Sequence, residues 1–182
     1  MTAWAKYEQA RFQLAQHDLE EASALTTSFC DTADRLVARD STVIDWRLQL
    51  RGACLEMRVR IALARGSLAE ARDYDDRMIN LAHDELARAP SNDARITLAD
   101  AQMLRGIISR QSGSADEANA AFKSAVAAWP ADEPDRPSLL ARKAVIFTGL
   151  GRRDSFTALA SKLDRLGYRD PIYLHDRALA AP

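Results

Sequence analysis

The phrase Gly66-Ser67-Leu68-Ala69-Glu70-Ala71 returns as Gly113-Ser114-Ala115-Asp116-Glu117-Ala118. Each copy sets a Gly-Ser break directly against a run of strong helix formers. Glycine ends a helix by taking the left-handed conformation, and carboxylates favour the first turn of the next, where the helix dipole is positive. The phrase thus marks one helix stopping and another starting. Two looser copies fit the same frame, His17-Asp18-Leu19-Glu20-Glu21-Ala22 before it and Gly151-Arg152-Arg153-Asp154-Ser155-Phe156 after it. One helical pair cannot bury its own apolar face, so recurring pairs stack into an array.

The rest of the chain agrees. Ala, Leu, Arg, Glu and Gln dominate, and the alternation expected of strands is nearly absent. Further breaks fall at residues 39–42, 89–92, 129–138, 149–151 and 167–171. Each is a cluster of Gly, Pro, Asp or Ser, the residues that end helices or cap new ones. These features predict an all-α chain, an α-solenoid of about four helical hairpins forming one repeat domain over residues 1–182. The units are expected at about 2–39, 42–89, 91–130 and 137–168, with a short capping helix at 171–180 that carries Pro171 in its first turn.

The copy from Gly106 to Pro130 resembles the tetratricopeptide repeat (TPR) superfamily. It has a small residue in the first helix (Gly106), the turn glycine Gly113, a small residue in the second helix (Ala118), an aromatic one turn later (Phe122), then Ala125, Val126 and the closing Pro130. Other copies keep Ala10, Val59 and Ala144 in the first helix and Ala22 and Ala71 in the second. Thr26 and Asp75 stand where the aromatic is usual, and the spacings of 49 and 47 residues between the first three copies exceed the family's repeat of about 34 residues. The resemblance implies a right-handed solenoid of TPR-like hairpins. Its packing logic is plain: Gly106 costs about 1 kcal/mol in a helix interior, which a close-packed neighbour would offset, and Phe122 would fill the interface.

Charge and chemistry narrow the function. Lys+Arg number 25 against 26 Asp+Glu, a net charge of −1, so the chain has no overall pull on nucleic acid or an anionic membrane, and any charged site must be local. No apolar run approaches the roughly 20 residues of a membrane span, and the opening MTAWAKYEQARF has helical spacing rather than that of a signal peptide. Cys30 and Cys54 fall on helices of adjacent hairpins and are expected as buried free thiols, because bridging demands a specific Cα spacing. His17, His83 and His175 are each followed by aspartate, as in the metal site of HD-type phosphohydrolases, which makes a metal-dependent hydrolase the alternative. Asp73 and Asp76 beside His83 pair by spacing with Arg77 and Arg72 as a solvated helix face does, so no metal ligand, cofactor or catalytic residue is assigned. Gly-Leu-Gly at 149–151 lacks a preceding strand and is no phosphate loop.

Two sets of first-helix residues bear on binding. Arg47, Arg51, Arg58 and Arg65 form a stripe by spacing. By position, the family resemblance places Tyr7, Arg11, Glu56, Arg60, Met103, Ile107 and Arg110, then Ala141 and Val145, on a concave groove. It implies a non-enzymatic module that binds a protein or peptide partner, or a small ligand. A structural homodimer is a further alternative. The closing LDRLGYRDPIYL also resembles the end of repeat regions in large bacterial signalling proteins. That resemblance implies an interaction or sensory part of a longer chain, cytoplasmic if Met1 is the native start and periplasmic if a membrane span precedes it.

Overall fold

In a computed structural model, which describes residues 2–132 and 136–181, the chain is all-α. Residues 133–135 of the expected Pro-rich break lie outside the described residues. The helices are α1 (Ala3–Ala15), α2 (Leu19–Arg39), α3 (Arg51–Ala64), α4 (Leu68–Arg88), α5 (Asn92–Gln111), α6 (Ala115–Ala128), α7 (Pro137–Gly149), α8 (Arg153–Arg165) and α9 (Pro171–Ala180). A π-helical segment, Asp45–Leu50, runs directly into α3. No strand occurs among the described residues.

The four phrases aligned in the sequence share one turn. His17, Gly66, Gly113 and Gly151 all have positive φ, at 60°, 72°, 81° and 65°. At each, the left-handed residue donates its N–H to a carbonyl of the preceding turn, and the next residue donates to the carbonyl one position further back. The pairs are His17 to Leu14 and Asp18 to Gln13, Gly66 to Leu63 and Ser67 to Ala62, Gly113 to Arg110 and Ser114 to Ser109, and Gly151 to Thr148 and Arg152 to Phe147. These are the paired bonds of a Schellman ending. The starts of the following helices differ. Asp18 caps α2 by accepting from Glu21 N–H at 3.1 Å. Ser67 and Ser114 make no side-chain cap, and α4 and α6 rely on Glu70, Asp116 and Glu117 in their first turns.

The chain divides into two compact units, Met1–Thr97 and Leu98–Pro182, with the division inside α5. In the first unit α1 packs on α2, α3 on α4, and α3 also on α1 and α2. Phe29, Met57, Leu50 and Ile61 form its core with Tyr7, and Trp46 of the π-helical segment packs against them. This core corrects the sequence reading of the cysteines. Cys30 on α2 and Cys54 on α3 are joined in a disulfide, their Cα atoms 5.3 Å apart, well inside bridging range. The spacing in sequence could not reveal that the two helices meet there.

In the second unit Phe122 of α6 lies between two glycines. A Cβ at Gly106 on α5 would come within 2.7 Å of the Phe122 ring, and one at Gly149 on α7 would overlap the same ring. Both glycines are thus explained by the close approach of one aromatic, which is wholly buried. Helix α7 packs on α6, α8 and α9. Asp170 caps α9 by accepting from Tyr173 N–H at 3.1 Å, with Pro171 at the first position.

Candidate functional site

Glu56 and Arg60 lie one turn apart on α3, so their side chains meet. Arg60 donates through Nε to Glu56 Oε1 at 3.1 Å, and its Nη2 lies 3.1 Å from the same oxygen. The Tyr7 hydroxyl of α1 donates to Glu56 Oε2 at 3.3 Å. All three residues are buried. A buried ion pair survives desolvation when both charges are matched and further hydrogen bonded, which this arrangement provides. Arg11, one turn after Tyr7, places its guanidinium 5.7 Å from the Tyr7 ring centroid and bonds Glu8 at 3.0 Å. Trp4, one turn before Tyr7, packs edge-on to it at 5.6 Å yet remains 45% exposed. Here a buried Glu–Arg–Tyr network underlies an exposed Trp and a half-buried Arg on one face of α1.

Four of the residues expected on the groove therefore come together in the first unit. Sequence reasoning did not single out Trp4. The available signal was its place one turn before Tyr7 on the same helix. In the second unit the residues expected on the groove are placed differently. Met103, Ile107, Ala141 and Val145 are core residues, each no more than 3% exposed. Arg110 is half-buried, donates through Nη2 to the Gly149 carbonyl at 2.8 Å and stacks 5.8 Å from the Phe122 ring. That position is the C-terminal end of α7, where a cation is favoured by the helix dipole.

The arginine stripe is divided between neighbours. Arg47 binds Glu85 of α4 and Arg58 lies over the Tyr74 ring of α4 at 5.3 Å. Arg51 reaches Asp34 of α2 at 3.0 Å, and Arg65 donates to the Leu19 carbonyl at 3.3 Å. These side chains tie α3 and its π-helical lead to the helices on either side. Arg47 and Glu85 make the strongest pair, with Nε to Oε1 and Nη2 to Oε2 both at 2.6 Å. The fork holds the Glu85 carboxyl below its ordinary range, because hydrogen bonding to Arg47 outweighs the cost of burial. Asp40 is lowered likewise by accepting from the hydroxyl and N–H of Thr42, which shapes the turn ahead of the π-helical segment.

The His-Asp doublets lie on separate elements. His17 is in the first turn, His83 is exposed on α4, and His175 on α9 sits 4.0 Å from Asp176. Among the described residues no group of three or more His, Cys, Asp or Glu side chains is placed to hold a metal. None of the described helices is long and apolar enough to cross a membrane. No protein-family model, curated protein or solved structure matches the chain.

Proposed function

We propose that the chain is a non-enzymatic, TPR-like helical-repeat module that binds a protein or peptide partner through the α1–α3 face of its first unit. The observation that carries this reading is the face itself. Trp4 and Arg11 stand exposed or half-exposed on a platform that the Tyr7–Glu56–Arg60 network holds in place. Partly exposed Trp and Arg on rigid support are the residues that carry most binding energy at interfaces. The repeated Schellman turn and the Gly106–Phe122 fit support the TPR-like, right-handed solenoid reading. A place as the interaction part of a larger bacterial signalling protein follows from the resemblance of the closing segment.

The network also says what the face does not offer. Arg60 is matched by Glu56 and Arg11 by Glu8, so an anionic ligand finds little uncompensated charge. Binding should depend on aromatic and amide contacts and weaken little with salt. The test is selection of random peptides displayed on phage against the immobilised intact chain. Peptides recovered on the wild type should lose about 30-fold in affinity to Trp4→Ala, equivalent to a hot spot of about 2 kcal/mol. They should bind Arg72→Ala normally, since Arg72 is exposed on α4. Peptides that ignore Trp4→Ala but are lost with Arg72→Ala would move the site to the second helices.

A further inference from the structure

We propose that the Cys30–Cys54 bond is a redox latch that fixes the α1–α2 pair on α3 and so controls the shape of the candidate binding face. The bond crosses the joint between α2 and α3. Three polar links that also reach across from α1–α2 to α3 are non-covalent and long or exposed. Asp34–Arg51 and the Arg65–Leu19 carbonyl bond are exposed, and the Tyr7–Glu56 bond is long at 3.3 Å. Exposed ion pairs contribute little. Apolar contact around Phe29 and Met57 holds the joint together, but only the disulfide makes it covalent.

Both cysteines are buried, Cys30 1% exposed and Cys54 8%, and Cys54 is the less covered residue of the two. Attack there by a small dithiol forms a mixed disulfide with Cys54 and releases Cys30 as a thiolate, which takes up a proton. The second thiol of the reagent then displaces Cys54, which also ends as a thiol, and the reagent leaves as its cyclic disulfide. Two electrons and two protons pass to the protein. The reverse reaction needs an oxidising disulfide donor, the chemistry of compartments in which disulfides persist. In the reduced state the α1–α2 pair keeps its apolar contacts but loses the covalent tie, and Tyr7 is no longer held against Glu56 by it.

The latch is read without any ligand, by thiol alkylation and amide hydrogen exchange of the intact chain with and without dithiothreitol. Reduction should expose two alkylatable thiols in the folded chain. Exchange across α1 and α2 should then rise on the order of 100-fold, as expected when a loop of this length is opened. Exchange in residues 98–182 should stay unchanged, and reoxidation should restore the slow rates. A bond that resists reductant in the folded chain would overturn the proposal. So would unchanged exchange in α1–α2, or a rise spread equally over both units. The proposal bears on the binding face, yet its test stands apart: a chain that passes here but selects no peptide keeps the latch and loses the binding reading.

Discussion

The two units share a turn but not a means of holding their helices together. In the second, Phe122 fills a slot between Gly106 and Gly149, Arg110 closes the end of α7 beside it, and Arg142 of α7 pairs with the buried Asp100 of α5. In the first, the positions matching Phe122 are Thr26 and Asp75, both buried. There a core around Phe29 and Met57 is joined by a disulfide, the Arg47–Glu85 fork and the Glu56–Arg60–Tyr7 network. The four aligned segments thus share one turn while differing in what is buried at the position of Phe122.

Phe122→Ala should break the comparison most severely, costing about 3–5 kcal/mol because two backbones have closed around the ring and cannot collapse into the space. Denaturant unfolding should show the loss in residues 98–182 first, and a cost below about 1 kcal/mol would mean the ring is not the joint. Glu85→Gln tests the ionic counterpart. It should cost about 1.5–3 kcal/mol at neutral pH, since it removes a charged acceptor from a guanidinium that is itself mostly covered. The pH dependence has a definite sign. The Glu85 carboxyl is depressed in the folded chain, so the pair stabilises fully above the ordinary carboxylate range and is lost as pH falls through the depressed value. Melting temperature between about pH 5 and pH 2 should therefore fall more steeply in the wild type than in Glu85→Gln. Equal slopes would remove the pair from the account.

Gly106→Ala sharpens the second unit's side. Helix propensity alone would stabilise by about 1 kcal/mol, but a Cβ there meets the confined Phe122 ring, and overpacking costs about 1–3 kcal/mol. A stabilised variant would mean the slot is looser than it looks. The smallest effect concerns the turn both units share. His17 holds a left-handed conformation that the other three aligned copies give to glycine. His17→Gly should stabilise the first unit by about 0.5–1 kcal/mol, read as a raised melting temperature, and a loss would show that the imidazole contributes there.

How much of this was legible in the sequence follows from which forces act locally. Helix ends at His17, Gly66, Gly113 and Gly151 were readable, because chain punctuation acts within a few residues. The need for a close neighbour at Gly106 was readable too, since a helical glycine is costly without one. The matching role of Gly149 was hidden by its place beside the Gly151 turn. The disulfide could not be read, because it depends on α2 and α3 meeting at one turn of each. The arginine stripe was visible in the spacing, but spacing along a helix does not say which neighbour each side chain meets, and here α2 and α4 divide them. Of the candidate site, the Glu56–Arg60 pair was within reach of the sequence through its one-turn spacing. Its burial, and the exposure of Trp4 above it, required the fold.

The claim that the α1–α3 face recognises a partner is tested most directly by mapping a selected peptide on the oxidised chain through backbone NMR chemical shifts. The account predicts that shifts concentrate in residues 3–15 and 51–64, with the Trp4 indole N–H among the largest, and that they change little between low and physiological salt. Shifts confined to α4, or to residues 98–182, would contradict it.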